Sequence, residues 1–377
     1  MAGALTENVK VTCNRIVERK DLMPIPERAP IQSQAETSVG FADIGAVAFE
    51  HPDKCANILE RIVEPYDPCR PDAAYSNAAM RAMEDYARSR IHQLRLPVRV
   101  HPKFSKLRNA LAVIPYVAPM DQDSMLRQYP ELRGLAKLLE TCLARYPEIL
   151  TGEVNPLSVL FPGGSVALVE AVYRDNPVTD YFNKVVGDIV ANYIRLRSGQ
   201  NTRIIEIGAG TGATTQFVLP AISTSNVTYL FTDLSFGFLN KAKVRFAHHK
   251  FVDYRVYNIE KRPEADHQFD IVIAANVLHA TVDIRNALKN ARDLLSPEGI
   301  LVVNEFTSRQ DYATLTFGLT EGWWLNADGQ RIQHSALLTG EAWRSLIRGA
   351  GFYSVASHGN EDQQVIVAAA SGNAASS

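Results

Sequence analysis

The sequence predicts an α/β protein: a mainly parallel sheet fills the C-terminal half, behind a mainly helical N-terminal half. Three observations carry that prediction. Short runs rich in Val and Ile begin after Asn201 and alternate with helical segments, as a parallel sheet with crossover helices requires. The first run ends in a glycine-rich turn, Gly208-Ala209-Gly210-Thr211-Gly212. Upstream, apolar residues recur at three- and four-residue steps, with no β-rich block and no internal repeat.

Each element follows from the chain in order. Met1 to about Ser38 lacks helical periodicity and brings Pro24, Pro26 and Pro30 together, the pattern of a connecting or surface segment. Ala79, Met80, Met83, Ala87, Ile91 and Leu94 mark one helix; Leu126, Leu132, Leu135, Leu138, Leu139, Cys142 and Leu143 mark a second helical set. Pro115, Pro119, Pro130 and Pro147 limit helix length here. A third helix is predicted over Thr179–Arg197, with Tyr181, Val185, Ile189, Tyr193 and Leu196 on one side. Candidate strands are Arg203–Ile207, Val227–Thr232, Asp253–Tyr257, Phe269–Ala275 and Ile300–Glu305. Ser354–Ser357 and Gln364–Ala369 are separated by the polar, Gly-containing stretch His358–Gln363, short enough for a hairpin. The expected division is a helical lid or substrate subdomain over 1–180, a ligand-binding α/β domain over 181–370, and a linker tail over 371–377.

Bulk properties exclude several classes. The 377 residues, 46% hydrophobic, suffice for two domains or one with a large extension. A net charge of -2 gives no global pull toward nucleic acid or an anionic membrane. Cys13, Cys55, Cys69 and Cys142 form no C-x-x-C pair and have no histidines at zinc spacing, so reduced thiols and no metal are expected. Met1–Arg15 has no apolar h-region, and no apolar run reaches membrane length. A cytoplasmic protein is expected.

The chemistry lies at strand ends. Gly208 and Gly210 allow close backbone approach to a ligand, beside the unpaired N–H groups of the following helix. Gly208, Gly210 and Ala213 also satisfy the dinucleotide pattern, so the turn alone leaves the cofactor open. Glu206 favours the cationic amino acid moiety of S-adenosylmethionine over a pyrophosphate. The terminal hairpin favours the methyltransferase version of the fold, since dinucleotide dehydrogenases usually continue in parallel. Asp233 can accept from both ribose hydroxyls, or cap the helix beginning at Ser235. Asn258 and Ile259 end the third strand where adenine would lie between an apolar side chain and an amide; Asn258 and Glu260 also read as plain turn residues. The fourth strand ends in Asn276 and delivers His279 past the carboxyl edge, where an imidazole suits proton abstraction near neutral pH. Glu305 ends the fifth strand, placed to fix the tautomer of His279 and to stabilise its imidazolium. The alternative makes His279 a helix cap near Thr281 and Glu305 an ordinary strand-end residue.

Glu206–Gly212, Thr232-Asp233-Leu234, Asn276-Val277-Leu278-His279 and Phe317–Trp324 together resemble the C-methyltransferase domains of fungal non-reducing polyketide synthases, such as the citrinin polyketide synthase. Pro156–Gly164 resembles the helical part that precedes that domain, and the likeness covers most of Pro156–Ala369. The resemblance implies a Rossmann-like class I S-adenosylmethionine-dependent methyltransferase, with S-adenosylhomocysteine as product. It implies a His279 base and a Glu305 partner acting on a polyketide thioester held by the phosphopantetheine of an acyl carrier protein. Other synthase domains would act in cis. Ala209, Leu234, Asn276 and Tyr181 join the implied cofactor residues; Phe182, Trp323 and Trp324 join the implied substrate wall. Asn258 departs from the Asp that relatives often carry.

Three other readings compete: a small-molecule O-methyltransferase, an NAD-dependent oxidoreductase and a methyltransferase fold kept as scaffold. The lid and Gly322-Trp323-Trp324 disfavour the first, Glu206 and the hairpin the second, the intact glycine turn and base the third. Finally, Tyr86–Met120 holds Arg88, Arg90, Arg95, Arg99, Lys103, Lys106 and Arg108 and no acidic residue. Such segregation marks either a docking face for an acidic carrier protein or a solvated face paired with acids elsewhere.

Overall fold

The Val- and Ile-rich runs pair where the sequence places them. In the computed structural model, which describes Leu59 and residues 71–370 apart from 174–175, 198, 224–225 and 265–267, seven strands make one sheet. The proline-rich start and the tail 371–377 lie outside the described residues. The strands are β1 Thr202–Ile207, β2 Val227–Asp233, β3 Val252–Val256, β4 Phe269–Ala275, β5 Leu295–Phe306, β6 Phe352–Gly359 and β7 Gln363–Ala370. Their order is β3-β2-β1-β4-β5-β7-β6. The first five are parallel, and β7 pairs antiparallel with both β5 and β6. The expected hairpin therefore sits at one edge, with β7 inserted beside β5.

Both faces are covered, which is why the strands read as continuous apolar runs. Ile204, Ile271, Val302 and Val367 face one core with residues of the helices Pro177–Leu196, Thr215–Ile222 and Phe236–Arg245. Their neighbours Ile205, Val272, Val303 and Ile366 face the other core with the helices Ile284–Leu294 and Gly340–Gly349. The alternation along each strand assigns every second side chain to one layer.

The helix Pro177–Leu196 crosses the boundary expected at residue 180 and packs its Val185, Ile189 and Tyr193 on the sheet. Leu196, expected on the same side, is 59% exposed, because the chain leaves the sheet at the last turn. The second helical set is broken: Pro130 opens a short 3-10 turn, Pro130–Leu132, between the helices Gln122–Gln128 and Arg133–Leu143. Together with the long helix Pro71–His92 these elements enclose a separate core that includes Met83, Leu135, Leu139 and Tyr146.

Buried charges tie that helical region to the chain after β5. Glu84 accepts from the backbone N–H groups of Asp311 and Tyr312 at 2.8 and 3.1 Å. Arg88 Nε donates to Asp311 Oδ2 at 2.7 Å, and Arg309 Nε donates to Asp311 Oδ1 at 2.9 Å. Burial, with the charge of Asp311, raises the Glu84 pKa from 4.5 to about 7, against the N–H groups and Arg88. An acid raised on folding contributes stability fully present below its unfolded value and lost as pH rises through the folded one. Glu84→Ala should destabilise the protein by about 1–3 kcal/mol by orphaning buried N–H donors. In urea denaturation the deficit should be larger at pH 5 than at pH 8; the opposite trend would contradict this assignment.

Candidate active site

The carboxyl ends of β1, β4 and β5 lie side by side, with Ile207 opposite Ala274 and Ala275 opposite Asn304. That register brings the glycine turn, Asn276 and Glu305 to one edge. The turn is built for close backbone approach. Gly208 and Gly210 have φ of 58° and 55°. A Cβ on Gly208 would lie 2.3 Å from Val277 Cγ2, whereas one on Gly210 would meet only Gly208 O, at 3.8 Å. Ala209 N donates to Thr232 O at 2.8 Å, which pins the turn to β2.

Asp233, at the end of β2, serves this turn directly. Its Oδ2 accepts from Gly210 N at 2.9 Å and its Oδ1 from Ser235 N at 2.7 Å. Burial raises its pKa and the backbone N–H groups oppose that shift. Neither bond caps the helix Phe236–Arg245, whose N-cap is Ser235, and each oxygen keeps a further lone pair. Leu234 stands beside it 52% exposed, an apolar surface with nothing over it among the described residues.

Three of the expected cofactor residues make contacts within the chain. Glu206 is 1% exposed, and its Oε2 accepts from Thr215 Oγ1 at 2.5 Å and Tyr229 OH at 2.6 Å. Burial raises its pKa from 4.5 to about 7. The β alternation turns it into the layer of the helix Thr215–Ile222, where it ties β1 to the first residue of that helix and to β2. Asn258 Oδ1 accepts from Glu260 N at 3.0 Å, the turn role, while Ile259 is 4% exposed and packed in the second core.

His279 and Glu305 are brought together. Glu305 is fully buried, and its Oε2 lies 2.7 Å from His279 Nδ1. Oε1 accepts from the N–H groups of Val277, Leu278 and His279 at 3.0, 2.9 and 3.5 Å. A carboxylate only accepts, so Nδ1 carries the ring hydrogen and Nε2 the lone pair. His279 is 8% exposed on the 3-10 turn Leu278–Ala280. It is no helix cap: Asp283 caps the helix Ile284–Leu294. Asn276 enters this turn with φ 50°, and its buried Oδ1 has no partner among the described residues.

The expected aromatic wall divides. The Trp323 ring meets His279 edge-on at 5.5 Å, with its Nε1 buried and unpaired. Trp324 turns away: Nε1 donates to Gly318 O at 2.7 Å and the ring packs on the helical core. Phe182, 3% exposed, belongs to the core under the sheet, so its expected substrate contact is corrected to packing. Tyr181 OH pairs with His358 Nε2 at 2.7 Å.

A polar chain escaped the sequence reading. Thr214 Oγ1 donates to Asn183 Oδ1 at 2.7 Å, and Gln363 Nε2 donates to Asn304 Oδ1 at 2.9 Å, with Asn304 Nδ2 3.5 Å from Asn183 Oδ1. Asn183 Nδ2 has no partner among the described residues. An asparagine within the apolar stripe of Phe182, Val185 and Val186 was the available signal. Arg331, discussed below, had none, because its segment lacks periodicity.

The residues fit an adenosyl sulfonium cofactor: an open glycine cradle, an acceptor carboxylate beside it, and an unpaired amide oxygen at the β4 end. The comparisons agree. A family model described as a methyltransferase domain matches residues 205–301. The chain is 39% identical over 269 residues to polyketide synthase PksR of Bacillus subtilis, covering 67% of this chain and 11% of that protein. It is 36% identical over 237 residues to the non-reducing polyketide synthase adrD of Penicillium rubens, covering 61% of this chain and 9% of that protein. Among solved structures it resembles the CurJ carbon methyltransferase, at 29% identity and a TM-score of 0.69, covering 85% of this chain and 98% of that one. The trans-methyltransferase CalH, solved with SAH, follows at 26% and 0.62, covering 81% and 93%. The citrinin polyketide synthase CMeT domain shares the fold, with a TM-score of 0.73 at 22% identity over 84% and 97%.

Fold, site and comparisons define a class I S-adenosylmethionine-dependent methyltransferase. Within that class its likeness is to the methyltransferase domains of polyketide synthases, bacterial as well as fungal, so the comparisons do not single out the fungal ones. The chain spans about a tenth or less of these synthases. Asp233→Ala should weaken S-adenosylmethionine binding by about 1.5–3 kcal/mol, since it removes a charged acceptor and loosens Gly210. Calorimetry reads the effect; unchanged affinity would leave Asp233 a backbone anchor alone.

Proposed function

We propose that this chain methylates the α-carbon of a β-ketoacyl polyketide thioester carried by an acyl carrier protein, in the cytoplasm and with other synthase domains in cis. The observation that carries the reading is the buried Glu305–His279 pair, with Nδ1 committed to the carboxylate and Nε2 left as a base. Bound S-adenosylmethionine supplies an electrophilic methyl on sulfur. The α-proton between two carbonyls is acidic enough for an imidazole, and an enolate is a carbon nucleophile needing only alignment. Glu305 holds the ring in one tautomer and stabilises the imidazolium that forms.

His279→Ala should lower methyl transfer about 10²–10⁴-fold and leave cofactor affinity nearly unchanged. Glu305→Gln should also be impaired, because an amide N–H facing Nδ1 favours the tautomer that hides the base. Full activity of His279→Ala on a β-ketoacyl thioester would sink the reading, and turnover of a phenol instead would favour O-methylation.

The carrier-protein part of the reading rests on the basic stretch. Arg88 and Arg90 are consumed by Asp311 and Glu140. Arg95, Arg99, Lys103 and Arg108 are exposed and make no ion pair among the described residues. Val98, 89% exposed, and Tyr116, 73% exposed, add apolar surface among them. Joint charge reversal at Arg95, Arg99 and Lys103 should raise KM for a carrier-bound substrate, with added salt mimicking it. A short soluble thioester should respond to neither; equal effects on both substrates would remove the docking role.

A further inference from the structure

Arg331 pairs its charge with Asp328, but two of its three nitrogens have no acceptor among the described residues. It lies between Trp324 and the helix Gly340–Gly349, and its side chain is 4% exposed. Nη2 donates to Thr281 O at 3.0 Å and meets Asp328 Oδ2 at 3.1 Å. Nε and Nη1 are buried and have no acceptor among the described residues. Asp328 is occupied elsewhere as well, accepting from Ile284 N at 3.0 Å and Gln330 N at 3.1 Å. A guanidinium offers five N–H donors in a rigid fork, so two dry nitrogens without acceptors call for an oxygen from outside the chain.

The position of Arg331 says which oxygen. Its anchor Thr281 follows His279 by two residues in the same turn. Burial lowers its pKa, opposed first by the charge of Asp328 and then by those of Glu305 and Asp283. A second orphan donor is independent of it: Trp323 Nε1, on the ring that meets His279 at 5.5 Å. Ile332, beside Arg331 in the chain, packs in the small cluster that contains Trp323. Among the described residues, unpaired donors thus lie on Trp323, whose ring meets His279, and on Arg331, anchored two residues past it.

We propose that Arg331 is the oxyanion-binding residue of the acceptor site, its Nε–H and Nη1–H receiving the enolate oxygen formed when His279 takes the α-proton. Trp323 Nε1 donates to the other carbonyl oxygen of the 1,3-dicarbonyl unit. The inference rests on the carbon-methylation reading and deepens it. The proton passes to His279 Nε2, and the C–H bonding pair enters the carbonyl system, placing negative charge on the oxygen that faces Arg331. When the α-carbon bonds the methyl group, the S–C bond breaks with its pair on sulfur and the oxyanion reverts to a carbonyl. Donors aimed at charge that exists only along this path lower the barrier rather than bind the ground state.

The probe is acetoacetyl-N-acetylcysteamine in D2O without cofactor, with exchange of the α-protons followed by NMR. The wild type should accelerate exchange above the buffer rate. Arg331→Met should lose about 10²–10³-fold of that acceleration, the scale for removing an oxyanion donor. Arg331→Lys should recover part of it, and Trp323→Phe should lose less than Arg331→Met. Cofactor affinity by calorimetry should be unchanged throughout. Wild-type exchange that persists in Arg331→Met overturns the role of Arg331 while leaving carbon methylation standing, and means that the guanidinium holds only water and Asp328. Should the Met variant fail to fold, Arg331→Lys decides, since full exchange without the planar fork overturns the proposal. No acceleration by the wild type overturns the proposal together with the reading beneath it.

Discussion

One buried carboxylate organises the reactive edge of this protein. Glu305 has no exposed surface, so each of its oxygens must find donors within the fold. Oε1 finds them in three consecutive backbone N–H groups, which shapes the turn Val277–His279. Oε2 finds one in His279 itself. The desolvation cost of the anion is thus offset by the turn that presents the base. The sheet fixes where this occurs, because β4 and β5 are neighbours in parallel register. A shift of one residue would turn Glu305 into the opposite layer and leave His279 unsupported.

The same strand also sets where the helical region attaches. Asp311 lies shortly after Glu305 and is gripped by Glu84, Arg88 and Arg309. On the far side of the turn, Asp328 and Arg331 tie Thr281 and the helix Ile284–Leu294 to the loop before Gly340. These two charged clusters differ in one respect. Every nitrogen of the first has acceptors close by or solvent to face, whereas Arg331 keeps two buried nitrogens without them. On the carbon-methylation proposal, those two nitrogens are the ones that receive a ligand oxygen beside the turn of His279.

The glycine turn is held from two directions. Asp233 grips Gly210 from β2, and Glu206 binds Thr215, which opens the helix after the turn, together with Tyr229. Thr214 extends the support through Asn183 to Asn304 and Gln363, so the cradle and the strand of Glu305 share a line of amides. Positive φ at Gly208, Gly210 and Asn276 is sustained by these contacts.

The sequence alone determined the strands, their parallel pairing with a terminal hairpin, and the residues that end them. Periodicity reports burial, and a strand's end is marked by the first residue that breaks it, so Asp233, Asn276, His279 and Glu305 were all legible. Which way a strand-end side chain turns was not legible, because it depends on the layer each strand faces. Hence Glu206 was expected at the cofactor and lies beneath the turn, and Phe182 was expected at the substrate and lies in the core. Arg331 was invisible for a related reason: it sits in an irregular segment, where no period assigns a face. Only the folding of that segment over the turn of His279, with too few acceptors for a guanidinium, decided that its charge belongs to the site.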